Sequence, residues 1–432
     1  MNIRVVILGD GPGGLILANS LYRNRLKTDK PLDIKVIGRS ELHTYQAGFL
    51  FLPFHVRGYR KLTDFQKETR RLLLPGIEYV ADTITQIDPA AKTVTTEFSG
   101  SYHYDFLVSA LGSQVVPDSI DGLAEQLAEG RGVHTFYTPD GAMRLGKALD
   151  EFKGGRLVIN IAEMPIKCPV APIEFACLAE SYLEQRGLRK HTEITLVTPL
   201  SGAFTKPVCN EVLTGLITEK KNISVIPDFQ LESVTERAIR SFEGREIPYD
   251  LLVSIPPHEG SNLLYDSGLG DITGFGFTER HTLKSTESEW IYLLGDNTNL
   301  PISKAGSVAH FQAEVVRDNL LREIDGLEPL PEADGHANCF IETGHHKAIL
   351  IDFNYDTQPV PGRFPPLQLG PASHRLNLGP MKLLGENHIN HWGKLAFKWV
   401  YWNLLLPGHP IPFVHSRMST AGKDLSILDK VA

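Results

Sequence analysis

The sequence predicts an α/β protein made of two successive β-α-β units and a C-terminal amphipathic helical segment. Two apolar runs, Ile3–Leu8 and Arg156–Ile161, each lead through a short loop into a helical pattern. Continuous apolar runs of this kind are typical of strands buried in a parallel sheet. Beyond about residue 345 the residue composition changes. Prolines and glycines cluster at 359–370, which predicts an irregular linker, and 381–406 is aromatic and helical in pattern.

The first unit carries a glycine-rich loop. Strand Ile3–Leu8 is followed by the turn Gly9–Gly14, a helix over Leu15–Tyr22 and a second strand at Asp33–Ile37. The three glycines of a G-x-G-x-x-G loop allow a tight turn, close approach of backbone to a pyrophosphate, and close packing of helix on strand. The helix N-terminus then offers free N–H groups to phosphate. The sequence therefore predicts a dinucleotide site that uses the following residues: Gly9, Gly11, Pro12, Gly13 and Gly14.

The end of the second strand departs from the usual pattern. A carboxylate commonly stands there and binds a ribose hydroxyl. Here the position holds Gly38, followed by Arg39. We assign Arg39 to the cofactor site and expect the ribose to be held by another group, with Ser40 and Glu41 as candidates.

The remaining elements repeat the same order. The predicted strands are Tyr104–Gly112, Glu193–Val197, Tyr249–Ile255 and Trp290–Asp296, and the predicted helices run from about Ile173 to Arg186 and from about Ala305 to Leu321. We place Ala110 and Gly112 at the cofactor, because they end a strand next to the glycine loop.

The second unit has no nucleotide loop. Residues 162–172 contain no glycine and three prolines, which remove N–H donors and prevent close approach of backbone to phosphate. We therefore expect no pyridine nucleotide here. The same loop carries Cys168. We expect Lys167 and the helix that follows to lower the pKa of this thiol, since a reactive cysteine needs a stabilised thiolate.

The whole chain resembles the flavoproteins with two dinucleotide-binding domains, on Leu294-Gly295-Asp296 and the apolar strand before it. The resemblance implies FAD as the cofactor, with Gly295 and Asp296 at its ribityl chain. It also implies that Lys304, Ala305 and Gly306 open a helix whose positive end favours the reduced flavin. The fold class is then two Rossmann-like (βαβ) FAD/NAD(P)-type domains plus a C-terminal amphipathic helical membrane and quinone segment.

A narrower resemblance is to sulfide:quinone oxidoreductase, with flavocytochrome c sulfide dehydrogenase as a related family. The motifs that carry it are Cys168-Pro169-Val170-Ala171-Pro172 with Glu174, Ile255-Pro256-Pro257-His258, the stretch from Pro301 to Ala309, and Cys339 in NCFIETG. The resemblance implies that Cys168 and Cys339 are a redox pair flanking the flavin, and that Glu174 handles protons. Sulfide would leave as polysulfide or sulfane sulfur, and its electrons would pass to a membrane quinone.

Many members of that family carry a third cysteine before the second domain, and residues 113–155 contain none. Cys177 falls inside a helical pattern and is expected in the core, and Cys209 is expected to be structural. The four cysteines include no C-x-x-C pair, so we expect no metal site.

The charge and hydropathy of the chain exclude some classes of binding partner. A net charge of −8 and a pI near 6.1 argue against nucleic acid. No signal peptide is visible, and no stretch approaches the roughly 20 apolar residues that span a bilayer. We expect a protein that lies peripherally on the cell membrane, with the membrane face and a homo-oligomeric assembly left open.

The pattern of residues His388–Leu406 predicts a helix through which the protein binds the membrane surface. Lys394 and Lys398 share one helical face among aromatic residues, and from Arg375 onward seven basic residues stand against three acidic ones. Such a helix suits an anionic membrane surface. The alternative is a helix packed on the body of the protein or in a dimer interface. Phe340 and Phe397 are the candidates to line a quinone site.

These elements suggest an FAD-binding domain at 1–112 and 285–345, a second Rossmann-like domain at 113–284, and a membrane and quinone region at 346–432. Two other functions remain open at this stage. One is a type II NADH:quinone dehydrogenase, and the other is the flavoprotein subunit of a sulfide dehydrogenase with a cytochrome partner.

Overall fold

The computed structural model describes residues 2–366 and 379–430. Its helices are α1 (Pro12–Asn24), α2 (Gly48–Phe51), α3 (Leu123–Glu129), α4 (Pro139–Glu151), α5 (Ala171–Gln185), α6 (Pro207–Gly215), α7 (Asn262–Asp266), α8 (Gly306–Ile324) and α9 (His388–Val400). Its strands are β1 (Ile3–Leu8), β2 (Leu32–Gly38), β3 (Leu42–Thr44), β4 (Gln66–Glu68), β5 (Ile77–Ala81), β6 (Ile84–Asp88), β7 (Thr93–Thr96), β8 (Gly100–His103), β9 (Phe106–Ser109), β10 (Gln114–Val115), β11 (Val133–His134), β12 (Gly155–Ile161), β13 (Thr192–Val197), β14 (Ser224–Ile226), β15 (Leu231–Val234), β16 (Ala238–Ser241), β17 (Glu246–Pro248), β18 (Leu251–Ile255), β19 (His258–Glu259), β20 (Ile291–Leu293), β21 (Ala337–Gly344), β22 (Lys347–Phe353), β23 (Gly362–Phe364) and β24 (Met381–Leu383).

The first parallel sheet has the strand order β20-β9-β1-β2-β5. Its central strand β1 is apolar and buried on both faces, as expected for a strand covered by helices on each side. Parallel strands end at one edge, so the loops that follow β1, β9 and β20 converge there. That edge is where open α/β sheets bind their ligands.

A second parallel sheet has the order β11-β18-β12-β13-β14. Helix α5 follows β12 and is buried along most of its length, including Ile173, Phe175 and Cys177 at 0% exposure. The loop between β12 and α5 carries Cys168. The α/β class with parallel sheets that the sequence predicted is confirmed.

The C-terminal part adds a four-stranded sheet, in the order β21-β22-β24-β23, against which α9 packs. Two sequence-based expectations are wrong here. Met381–Leu383 is a strand instead of the start of a helix, because it pairs with Gly362–Phe364. Gly362–Phe364 is therefore a strand within the predicted irregular linker, whose residues 367–370 lie outside the described part of the chain.

Helix α9 continues as a π-helical turn over Tyr401–Leu405, which contacts α1 and β3. The Asn19 side-chain amide donates to the carbonyl of Leu406 over 2.6 Å, and His43 Nε2 lies 2.5 Å from the Tyr401 hydroxyl. No helix in the described ranges is long and apolar enough to cross a membrane.

Candidate flavin and cysteine site

The glycine loop has the shape that a dinucleotide requires. Gly9 has φ +103°, and a Cβ there would lie 2.3 Å from the Ala110 carbonyl oxygen. A Cβ on Gly14 would lie 2.0 Å from the oxygen of Gly9, so helix and strand are in direct contact. Gly11 has open space where its Cβ would be, at the N-terminus of α1. A phosphate group fits this space, next to N–H groups and the positive end of the helix.

The other predicted cofactor residues lie around the same edge. A Cβ on Gly13 would lie 2.5 Å from the Leu294 side chain, which brings the loop after β20 against the glycine loop. Gly306 begins α8 with open space where its Cβ would be. Ser113 Oγ and Asn297 Oδ1 are buried without a hydrogen-bond partner among the described residues. Buried polar atoms in that state need a partner, and a bound FAD, rich in polar groups, fits such a site.

Lys304 lies beside Asp296. Its Nζ donates to the carbonyl oxygens of Asp296 at 2.7 Å and Thr298 at 3.0 Å. Burial lowers the pKa of Lys304 to about 8, although Asp296 opposes the shift. Burial also raises the pKa of the Asp296 carboxyl, against the nearby Lys304 and Lys167. Lys304 is therefore held at the end of β20, in front of α8.

The end of β2 differs from what the sequence indicated. A Cβ on Gly38 would lie 2.5 Å from Asp10 Cγ, so the Asp10 carboxylate fills the space beside this glycine. Its Oδ2 accepts the Ser40 N–H over 2.8 Å and the Tyr79 hydroxyl over 2.8 Å. Ser40 thus binds the Asp10 carboxylate through its main-chain N–H. The side chains of Arg39 and Glu41 are exposed. Sequence reasoning missed Asp10. The signal was a carboxylate within the glycine loop, next to a second strand that ends in glycine where a carboxylate is usual.

Cys168 and Cys339 both form hydrogen bonds with residues at the start of α8. The Cys168 N–H donates to the Lys304 carbonyl oxygen over 2.6 Å. The Ser307 hydroxyl lies in hydrogen-bonding contact with the Cys339 thiol and donates to the Asn338 carbonyl at 2.7 Å. Both cysteines are free and half-buried, whereas Cys177 and Cys209 are fully buried. Residues from two distant parts of the chain therefore meet at one helix end.

The expectation of a stabilised Cys168 thiolate is wrong. Burial raises the pKa of the Cys168 thiol well above its usual range, and the nearby Glu174 raises it further. Burial likewise raises the pKa of Cys339 to about 12. The cation that opposes these shifts is Lys394, and Lys167 interacts with Asp296 instead. Both sulfur atoms are thus more stable protonated or covalently bonded than as thiolates.

A buried network of charged groups lies behind the two cysteines. Lys394 of α9 forms an ion pair with Glu174 of α5, and its Nζ donates to the Phe340 carbonyl at 2.9 Å. The Glu342 N–H donates to Glu174 Oε1 over 2.7 Å, and the Glu342 carboxylate lies 2.9 Å from His391 Nδ1. Sequence reasoning found Glu174 and missed its partners, because they lie on β21 and α9.

Burial raises the pKa of the Glu174 carboxyl, although Lys394 opposes the shift. Burial lowers the pKa of Lys394, but Glu174 and Glu342 together raise it above its ordinary value. The second oxygen of Glu174, Oε2, is buried without a hydrogen-bond partner in the described chain. Glu174 is therefore a buried carboxyl group close enough to Cys168 and Cys339 to raise the pKa of both thiols.

The loop between β12 and the start of α5 is packed within the protein. The Ala171 N–H donates to the Cys168 carbonyl at 2.9 Å, and the first residues of α5 are buried. Ile173 is 0% exposed and Glu174 is 1% exposed. The N-terminal turn of α5 is therefore buried among protein atoms, which disfavours a pyrophosphate there.

The predicted basic face of the C-terminal helix is wrong, because both of its lysines point into the protein. Lys394 pairs with Glu174, and Lys398 Nζ donates to the Gly58 carbonyl over 2.7 Å. Lys423 similarly pairs with Asp352 over 2.9 Å. Arg375, part of the same charge count, lies outside the described residues.

The outward face of α9 is apolar. The exposed side chains there are Ile389 (46%), Trp392 (63%) and Trp399 (62%), and Phe413 (66%) follows in the tail. Phe340, a candidate for the quinone site, packs its ring against Gly393 of α9, and Phe397 packs partly buried against the core.

Comparison with known proteins gives relatives over most of the chain. The mitochondrial sulfide:quinone oxidoreductase of Mus musculus is 27% identical over 413 residues, covering 94% of this chain and 86% of that protein. An NADH dehydrogenase-like protein of Mycobacterium tuberculosis is 33% identical over 180 residues, covering 40% of this chain. No protein-family model matches.

Among solved structures, the sulfide:quinone oxidoreductase of Aquifex aeolicus superposes with a TM-score of 0.74 at 22% identity, covering 93% of this chain and 92% of that one. This match shows a shared fold. Taken with the curated relatives, it confirms the resemblance that the cysteine and glycine motifs indicated: over nearly its whole length, this chain is similar to the sulfide:quinone oxidoreductases.

Proposed function

We propose that this protein is an FAD-dependent oxidoreductase that oxidises sulfide to polysulfide or sulfane sulfur and passes the electrons to a membrane quinone. The observation that carries the proposal is the meeting of Cys168 and Cys339 at the start of α8. That helix end lies at the edge of the first sheet where the glycine loop and Asp296 are proposed to bind the dinucleotide. Two curated relatives that match most of the chain are named sulfide:quinone oxidoreductase.

The sulfur step follows from the two thiols. In the oxidised enzyme Cys168 and Cys339 are joined, directly or through bound sulfur. Hydrosulfide adds to one sulfur of the pair, so one S–S bond forms, another breaks, and the second cysteine leaves with the electron pair. The released thiol and the new persulfide then re-form the bridge with one more sulfur atom in it, and bound FAD would accept the two electrons of that oxidation and pass them to the quinone. The added sulfur atom is thereby oxidised and stays on the cysteine until it leaves with further sulfur.

Glu174 is the group that moves the proton in this step. The departing cysteine has a raised pKa, so it takes up a proton as it leaves. Glu174 is buried beside both thiols, and burial raises its own pKa, which suits a carboxyl that donates and recovers a proton. Lys394 and the Glu342 N–H fix its Oε1 in place. Lys394 is thus a positioning residue.

The quinone is proposed to reach the enzyme from a membrane on which α9 lies. Trp392 and Trp399 are exposed together on one face, and tryptophan favours the membrane interface. Because Lys394 and Lys398 are engaged inside the protein, binding would depend on apolar contact more than on anionic lipid. Phe340 and Phe397 are proposed to line the quinone site, since both belong to elements that border the cysteine network.

The proposed domain boundaries are supported by the strand order of the two parallel sheets: the first sheet combines strands from residues 3–109 with 291–293, and the second combines strands from residues 133–255. A type II NADH:quinone dehydrogenase is the second candidate, supported by the partial relative from Mycobacterium tuberculosis. The filled N-terminus of α5 speaks against it, because NADH would need that site for its pyrophosphate.

The test is an anaerobic titration of the purified flavoprotein with sulfide and, separately, with NADH, followed at the flavin absorption band. Bleaching by one equivalent of sulfide, and sulfide-dependent reduction of decylubiquinone, are expected. Cys168→Ser and Cys339→Ser should lose both, while Cys209→Ser, at a fully buried cysteine with no proposed redox role, serves as the matched control. Stoichiometric bleaching by NADH, or full activity in either serine variant, would overturn the proposal.

A further inference from the structure

The carboxylate that binds ribose in dinucleotide-binding folds is missing from its usual place in this chain. That place is the end of the second strand, where β2 finishes with Gly38. A ribose hydroxyl donates well to a carboxylate, and hydrogen bonds to charged groups are among the stronger ones in proteins. The adenosine end of the site therefore needs another acceptor.

Asp10 places a carboxylate at that point from the opposite direction. It stands inside the glycine loop, between Gly9 and Gly11, yet its side chain turns toward the end of β2. A Cβ built on Gly38 would lie 2.5 Å from both Cγ and Oδ2 of Asp10. The carboxylate thus occupies the volume into which a side chain at position 38 would extend. Asp10 and any larger residue at 38 exclude each other.

The carboxylate is held in a defined orientation. Its Oδ2 accepts hydrogen bonds from the Ser40 N–H and the Tyr79 hydroxyl, each over 2.8 Å. The Asp10 carbonyl oxygen lies 3.0 Å from His43 Nδ1, which fixes the main chain as well. Within the described residues no hydrogen bond engages Oδ1. One oxygen is therefore anchored to the protein and the other is free to accept from a ligand.

We propose that Asp10 is the residue that binds the adenosine ribose of FAD, in place of the carboxylate absent at Gly38. The inference rests on FAD as the cofactor and is independent of the electron donor. Its carboxylate is bonded at the end of β2, where these folds place the ribose, whereas the pyrophosphate belongs at the N-terminus of α1. Gly38 is a glycine because Asp10 needs its space.

The experiment compares holoenzymes by the rate at which FAD is released after dilution, measured as the rise in flavin fluorescence. Asp10→Gly should release FAD roughly tenfold or more faster, since a charge-assisted hydrogen bond is lost. Gly38→Glu alone should also release it faster, because the new side chain collides with Asp10. The double variant Asp10→Gly with Gly38→Glu should return to within about threefold of wild type, because the carboxylate is restored from the strand side.

Two further variants keep the test valid if Asp10→Gly does not fold. Asp10→Asn keeps an acceptor for Ser40 and Tyr79 but removes the charge, and it too should release FAD faster. Tyr79→Phe, which removes only an anchor, should have a smaller effect than Asp10→Gly. Wild-type release from Asp10→Gly and Asp10→Asn, or a double variant no better than Asp10→Gly, would overturn the inference. Because no sulfide or quinone enters the assay, failure here is separate from failure of the proposed activity.

Discussion

Glu174 and Lys394, 220 residues apart in the chain, form an ion pair although their side chains are only 1% and 11% exposed. A pair in such a position is costly to desolvate, and removing one partner leaves an uncompensated buried charge. The pair joins α5, which follows the Cys168 loop, to α9, which carries the exposed tryptophans. It therefore connects the sulfur site to the proposed membrane face.

Breaking this pair should destabilise the holoenzyme strongly. Lys394→Met is expected to lower the free energy of unfolding by about 3 kcal/mol, because Glu174 keeps its burial and loses its partner. The double variant Glu174→Gln with Lys394→Met should recover most of that loss. Lys398→Met, on the same helix but bound to backbone carbonyls and lying over the Tyr59 ring instead of pairing with a carboxylate, should cost under about 1.5 kcal/mol. Denaturant unfolding measures all of these, and equal losses in Lys394→Met and Lys398→Met would contradict the assignment.

The raised pKa values of the thiols predict slow alkylation after reduction. The thiolate is the reactive form, so the iodoacetamide rate at Cys168 and Cys339 should rise roughly tenfold per pH unit from pH 7 to 9. Cys177 and Cys209, at 0% exposure, should remain unmodified in the folded protein. Peptide mass spectrometry resolves the four sites. A fast rate that does not change with pH above 7 would show that a thiolate is already present.

His134 should make the protein less stable in mild acid. Burial lowers the pKa of His134 to about 4, and the nearby Arg144 acts in the same direction. The unfolded chain, with an ordinary histidine pKa near 6.5, binds the proton more readily, so stability falls as the pH drops from about 6.5 toward 4. The loss between pH 7 and 5.5 should be about 1 kcal/mol. His134→Gln should flatten this slope in thermal melts, whereas His103→Gln, at an exposed position, should leave it unchanged.

The exposed tryptophans of α9 should account for membrane binding. Trp392→Ser with Trp399→Ser is expected to weaken binding to liposomes at least about tenfold, because two large apolar side chains no longer enter the interface. The matched control replaces Phe98 and Phe242, which are 84% and 71% exposed elsewhere. Co-sedimentation with neutral vesicles should be nearly as strong as with anionic ones. Equal binding of the tryptophan and phenylalanine variants would refute the assigned face.

The sequence was sufficient where local pattern decides structure. Apolar runs such as Ile3–Leu8 and Arg156–Ile161 become buried parallel strands in both sheets, because their neighbours along the chain supply the covering helices. The glycine loop and the cysteine loop were predicted for the same reason. Their chemistry resides in consecutive residues.

Partners from distant segments could not be read from the pattern. Lys394 and Lys398, four residues apart on one helical face, resemble a solvated basic stripe, and only the approach of Glu174 and Gly58 turns that face inward. The strand at Met381–Leu383 likewise exists because Gly362–Phe364 lies beside it. Tertiary contact decided both cases.

The mutual exclusion of Asp10 and Gly38 has an evolutionary consequence. If Asp10 binds the ribose as proposed, loss of its carboxylate alone leaves none at the ribose, and a carboxylate gained at position 38 alone competes with Asp10 for one space. Passage between the loop arrangement and the strand arrangement thus crosses a less fit intermediate, and the two positions are epistatic. Among descendants of this sequence, Asp10 and Gly38 should be retained or lost together.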